Sequence, residues 1–177
     1  MRAKICFLVM VVAAVLIAGC VSDVTPVDDF DSTVSAERAA ILVTEQQQID
    51  DALEDGPVLL KAGAEWCPPC RQLDPVIDEL ALDYEGRATV MFIDTELTPE
   101  LGARFNVYSI PDTTVIVDIE DGNYVFMRYD GVKEMDRNKA RVLGYVDKDV
   151  FEIILGHAIE YRNNISESEL SLNTSDV

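Results

Sequence analysis

Pro57-Val58-Leu59-Leu60-Lys61-Ala62-Gly63-Ala64-Glu65-Trp66-Cys67-Pro68-Pro69-Cys70-Arg71 is the stretch that decides the architecture of this chain. Its first four residues open an apolar run of strand type. Beyond the cysteines, Leu73, Val76, Ile77, Leu80 and Tyr84 recur at helical spacing. They predict a helix from the cysteines to about Tyr84, kinked at Pro75 and stopped by Gly86. Two thiols three residues apart therefore sit where a strand turns into a helix. Such a pair is a disulfide staple, half of a metal site, or a redox couple that opens and closes.

Helix physics separates the three. The first four N–H groups of a helix lack partners within it, and together with the helix dipole they favour an anion. A thiolate at Cys67 would be that anion, with a lowered pKa. Pro68 and Pro69 have no N–H to leave unsatisfied, and they stiffen the loop. Cys70, one turn further in, is placed to attack a mixed disulfide formed on Cys67. A staple over two intervening residues would remove little chain entropy. A zinc site wants four ligands, but His157 is the only histidine, and it falls off the apolar stripe of its helix. Redox chemistry, with no metal or other cofactor, accounts best for the spacing.

The flanking segments alternate between strand and helix signals. On the N-terminal side, Ala40–Val43 is a short apolar run. Thr44 with Gln47 forms a capping box for a helix to about Glu54, ended by Asp55-Gly56. On the C-terminal side, Thr89–Ile93 is a strand, and Thr98-Pro99-Glu100 starts a helix that ends near Asn106. Thr113–Ile119 is a β-branched strand, Asp121-Gly122 a hairpin turn, and Tyr124–Tyr129 the return strand. A polar insert follows from Asp130 to Arg141. The last helix runs from about Asp147 to Arg162, with Val150, Phe151, Ile154, Leu155, Ala158 and Ile159 on one face. The order β-α-β-α-β-α-β-β-α predicts an α/β domain over residues 39–162, a central mixed sheet flanked by helices on both faces.

The ends of the chain read differently. Arg2 and Lys4 precede Ile5–Ala18, a run with no charge or proline, long enough for a signal peptide and short for a stable membrane span. It closes on Leu16-Ile17-Ala18-Gly19-Cys20, which resembles a prokaryotic lipobox. That resemblance implies a lipoprotein-type signal peptide over 1–19, cleavage before Cys20, and lipid on its sulfur. An uncleaved anchor helix is the alternative, and both place the remainder outside the cytoplasmic membrane. Residues 20–38 read as an acidic tether and 163–177 as a disordered tail. Cys6 would leave with the leader, so Cys67 and Cys70 remain as the thiols of a compartment where disulfides persist. The balance of 14 Lys+Arg against 33 Asp+Glu argues against a nucleic-acid partner, which needs clustered basic side chains.

Taken together, Pro57–Leu60, Trp66-Cys67-Pro68-Pro69-Cys70, Pro75 and Phe105-Asn106-Val107-Tyr108-Ser109-Ile110-Pro111 resemble the thioredoxin superfamily. The resemblance implies a thioredoxin fold and thiol:disulfide oxidoreductase activity. It makes Cys67 the attacking nucleophile and Cys70 the resolving thiol. It makes Trp66, Ile110 and Pro111 the substrate-binding residues, with Pro111 in a cis peptide. Ala140–Asp147 is similar to the periplasmic thioredoxin-like domain of the electron transporter DsbD, and proteins of the TlpA and ResA kind share the expected location. These likenesses imply a lipid-anchored enzyme on the extracytoplasmic face of the membrane. It would reduce disulfides in client proteins and be recharged by a membrane thiol-electron transporter. An oxidase or isomerase, and a metal-binding lipoprotein using its thiols as ligands, are the competing expectations.

Two departures from the family pattern bear on mechanism. Lys61 stands where thioredoxins carry a buried Asp that helps move the resolving thiol's proton. A lysine near the site would instead favour thiolate; the alternative is that it reaches the surface or pairs with an acid such as Asp94. Asp112 follows Pro111 where Thr is usual, and an acid beside the substrate groove would disfavour acidic partners.

Overall fold

The computed structural model describes residues 38–173, with side chains described through Glu167. The expected leader 1–19, Cys20 and all but the last residue of the expected tether lie outside the described residues. The elements are β1 (Ile41–Leu42), α1 (Gln47–Asp55), β2 (Val58–Gly63), α2 (Pro68–Asp83), β3 (Thr89–Asp94), α3 (Pro99–Arg104), β4 (Asp112–Glu120), β5 (Asn123–Met127), β6 (Lys133–Glu134), α4 (Arg137–Ala140), β7 (Val142–Leu143) and α5 (Lys148–Asn173).

The strands form one sheet in the order β1-β3-β2-β4-β5-β6, with β7 beside the start of β4. β1 and β2 run parallel to β3, while β4 is antiparallel to β2 and β5 to β4. β2 is central and buried along its whole length, which is why its sequence is continuously apolar apart from Lys61. Successive residues of a strand face opposite sides. Accordingly, Leu59 joins Leu73, Ile77, Leu80, Phe151 and Leu155 under α2 and α5. Val58 and Leu60 join Ile49, Leu53, Leu101 and Phe105 under α1 and α3. The expected mixed sheet with helices on both faces is the observed architecture.

Local differences have local causes. The chain entering α1 is capped by Gln48, not Gln47: Gln48 Oε1 accepts from the Thr44 N–H at 2.7 Å and the Glu45 N–H at 3.1 Å. Thr98 does not cap α3; its hydroxyl donates to the Asp94 carbonyl at 2.9 Å. At the hairpin, Asp121 and Gly122 both take positive φ, 51° and 75°, the backbone that matches the twist of paired strands. The polar insert is structured, as β6 pairs with β5, α4 follows, and β7 pairs with β4. Two-residue strands carry too little periodicity to be read from sequence. Helix α5 continues past Arg162 to Asn173. The apolar stripe that suggested an earlier end reports packing, and no Gly or Pro interrupts 163–173.

Candidate active site

The site begins with the turn between β2 and α2. The Cys67 N–H donates to the Ala64 carbonyl at 3.2 Å. Cys67 itself is extended, φ −83° and ψ 108°, and caps α2. Pro68 and Pro69 occupy the first helical positions, where no N–H is needed. The first N–H that α2 offers is therefore that of Cys70, shared between the Cys67 carbonyl at 3.1 Å and Cys67 Sγ at 3.3 Å. The two cysteines are joined in a disulfide with Cα atoms 5.2 Å apart. Cys70 is 0% exposed and Cys67 3%, whereas Trp66 beside them is 62% exposed. On opening of the bond, Cys67 keeps an N–H donor and the positive end of a 16-residue helix, both of which favour its thiolate.

Sheet register assembles the rest. β2 and β4 run antiparallel with Ala62 opposite Asp112. The residues just before β4 thus lie at the sheet end from which the cysteine turn emerges. The Ile110–Pro111 peptide there is cis, with Pro111 buried and Ile110 half-buried. The Gly144 N–H donates to the Pro111 carbonyl at 2.8 Å, so β7 anchors this loop. Exposed Tyr108 lies on the same loop.

Lys61 does not reach the surface and does not pair with Asp94. It is 2% exposed, and its ammonium binds Asp74 Oδ1 on α2. Asp94 is occupied elsewhere, accepting from the Glu96 and Leu97 N–H groups at 2.9 and 3.3 Å. Burial pulls the Lys61 pKa below the ordinary lysine value, with Asp74 pushing back. Asp74 also binds Arg38. The ammonium and the buried sulfur converge on one glycine: a methyl group built on Gly63 would meet Lys61 Nζ at 2.9 Å and Cys70 Sγ at 3.3 Å. A cavity of about 300 Å³ opens beside them, lined by Lys61, Gly63, Arg38, Glu65 and Asp94 among others.

Asp112 requires a correction. It does not line a groove, being 0% exposed and held by both Nη atoms of Arg137 at 2.9 and 2.8 Å and by Arg141 Nη1 at 3.2 Å. Its charge is spent inside the protein, so it imposes no preference on partners. Both arginines belong to the insert region, and the Arg141 guanidinium lies 4.2 Å from the Tyr108 ring centroid.

Among the described residues, no group of three or more His, Cys, Asp or Glu is arranged to hold an ion. His157 is half-buried against Gly131 of the insert.

A thioredoxin family model matches residues 40–141. The chain belongs to the thioredoxin family. It is 38% identical over 81 residues to a thioredoxin of Staphylococcus saprophyticus, covering 46% of this chain and 78% of that one. It is likewise 38% identical over 79 residues to a thioredoxin of Staphylococcus aureus, covering 45% and 76%. The solved structure of a point mutant of a thioredoxin from Halobacterium salinarum NRC-1 superposes with a TM-score of 0.50 at 26% identity, covering 70% of this chain and 96% of that one. The fold is therefore the thioredoxin fold, and the chain is a thiol–disulfide oxidoreductase. The family uses no cofactor beyond its cysteine couple and acts on disulfides of client proteins.

Sequence reasoning missed Asp74, Arg38, Arg137 and Arg141. A weak signal for Asp74 was present. It lies four residues after Cys70 and three before Ile77, both buried, so it borders the face that α2 turns toward β2.

Proposed function

We propose that this chain is a membrane-tethered, extracytoplasmic reductant of client protein disulfides. Cys67 thiolate attacks a client disulfide, forming a Cys67–client bond and releasing one client thiolate. Cys70 then attacks Cys67 Sγ, releases the second client thiolate and leaves the enzyme oxidised, with two electrons moved to the client. Trp66, Ile110 and Pro111 bind the client chain. A membrane thiol-electron transporter restores the dithiol. Cys20 carries the lipid that holds residues 39–162 at the outer face of the membrane, the location that TlpA and ResA-type proteins share.

The observation that carries the exchange chemistry is the cap: Cys67 Sγ receives the first available N–H of α2 beside an exposed tryptophan. The leader pattern supports the location, and the DsbD-like segment Ala140–Asp147 supports the reducing direction. One observation favours an oxidising role instead, because a buried ammonium beside Cys70 stabilises a dithiol's thiolate. The reduction potential of residues 36–177 separates the two. A value near about −270 mV is expected, and one near about −120 mV overturns the reductant assignment. Cys67→Ser is expected to abolish insulin-disulfide reduction; retained thiol-dependent metal binding without any turnover in the wild type would favour the metal-binding alternative. Cys70→Ser should trap the Cys67–client disulfide and identify the client by mass. Membrane fractionation of Cys20→Ala tests the anchor, and unchanged membrane association overturns the lipid attachment.

A further inference from the structure

The chain holds 33 acidic residues against 14 basic ones, so a basic side chain seldom lacks a partner. Among the described residues, every lysine and arginine but one is taken up by a carboxylate or a backbone carbonyl. The exception is exposed Arg104, at the end of α3. It borders a cavity of about 270 Å³ that also meets the β4–β5 hairpin. The wall is aromatic. Phe105 stacks on Tyr124 with ring centroids 5.5 Å apart, and Phe126 meets Tyr124 edge-on at 6.4 Å. Arg137 lines the cavity too, its guanidinium 5.9 Å from the Phe105 ring centroid. Both its Nη atoms are engaged on Asp112. Its Nε is buried without a hydrogen-bond partner, in a side chain only 9% exposed, and a buried donor left unpaired is costly. No carboxylate lines this cavity; Asp50, which approaches from α1, accepts from the Tyr124 hydroxyl at 2.5 Å. The cavity beside Arg128, Lys139 and Arg141 differs, since Asp130 stands in its wall and pairs with Arg128.

We propose that the cavity between α3 and the hairpin binds a small aryl carboxylate. The carboxylate pairs with the free guanidinium of Arg104 and with Arg137 Nε, while the ring lies against the Phe105–Tyr124 stack. The wall selects this chemistry. Fixed positive charge with unused donors favours an anion, and aromatic faces favour a planar apolar body. The amides of Gln46 and Asn123 offer hydrogen bonds to a ring substituent. The volume falls at the lower edge of drug-sized sites, roughly 300 Å³, so the ligand is one ring with a short acid. None of Trp66, Cys67, Cys70, Ile110 and Pro111 lines the cavity. The inference is therefore independent of the exchange chemistry, its direction and its location.

The test is a benzoate titration of the full chain, followed by NMR at the Phe105, Tyr124 and Phe126 rings. Saturable one-to-one binding with a Kd of about 1 mM or tighter is expected for a ligand of this size. Acetate lacks the ring and benzyl alcohol lacks the charge, and each should bind at least about tenfold more weakly. Arg104→Gln should weaken benzoate by about tenfold. Arg104→Lys should recover part of that loss, because the charge returns without the planar fork. Absence of saturation, equal binding of the three probes, or an unchanged Kd in folded Arg104→Gln overturns the proposal. So do shifts confined to Trp66 and the cysteine turn. Should the variants not fold, the comparison of the three probes on the unaltered chain decides. Insulin-disulfide reduction reports separately on the cysteine couple, which keeps the two readings distinct.

Discussion

Two buried ion clusters flank the disulfide, and they are built from opposite chemistries. Behind Cys70, one lysine meets one carboxylate that still touches solvent. Behind Pro111, one carboxylate is enclosed by two arginines, with Arg141 3.2 Å away and Arg137 binding through both nitrogens. Both clusters lose hydration on folding. They differ in what can leave them. A guanidinium holds its proton at any pH a protein survives, whereas a buried lysine can give one up. The arginine cluster is therefore a strut: it ties the insert and β7 to the loop that carries Pro111. The lysine pair, next to the buried sulfur, is held by a group that can titrate.

The largest effect that would test this contrast is Asp112→Ala. It leaves two guanidiniums buried without their carboxylate and is expected to cost about 3–5 kcal/mol in urea unfolding. A loss below about 1 kcal/mol would show that the strut carries no stability. Lys61→Met should be far milder, within about 1 kcal/mol, because Asp74 retains Arg38 and its contact with water. A severe loss there would make Lys61 structural.

A pH series sharpens the comparison further. The unfolded chain holds the Lys61 proton up to about its ordinary 10.5, while burial makes the folded chain release it earlier. In that window the unfolded state binds more protons, so stability contributed at this site rises with pH. Tyr124 works in the opposite sense: burial and Asp50 raise its pKa, so its contribution falls above about 10, its ordinary value. Subtracting the Lys61→Met series from wild type removes the tyrosine, which both share, and should leave a difference that grows toward alkaline pH. A flat difference would mean that Lys61 titrates no earlier than an exposed lysine. The smallest effect belongs to Tyr108→Ala, which removes the ring over Arg141. It should cost about 0.5–1 kcal/mol at this exposed site, measured by urea unfolding; a loss near that of Asp112→Ala would make the ring part of the strut.

Much of the fold was legible because its signals are local. The apolar run of β2, the helical spacing of α2 and the Asp121-Gly122 turn each report on neighbours a few residues away. The cysteine site was legible for the same reason: nucleophile, cap and resolving thiol all lie within one helical turn. The short strands in and after the polar insert were not legible, because β6 and β7 are two residues long and exist through partners on β5 and β4.

By itself, the sequence determined that a strand delivers a cysteine pair to a helix start, and which faces of the helices are buried. Tertiary structure alone decided that Lys61 meets Asp74 rather than Asp94, and that Asp112 faces Arg137 and Arg141 rather than a client. The reason is range. Periodicity tells a side chain which way to face, but a charge finds its partner across 13, 25 or 29 residues of chain, and only the packed arrangement of sheet and helices brings those positions together.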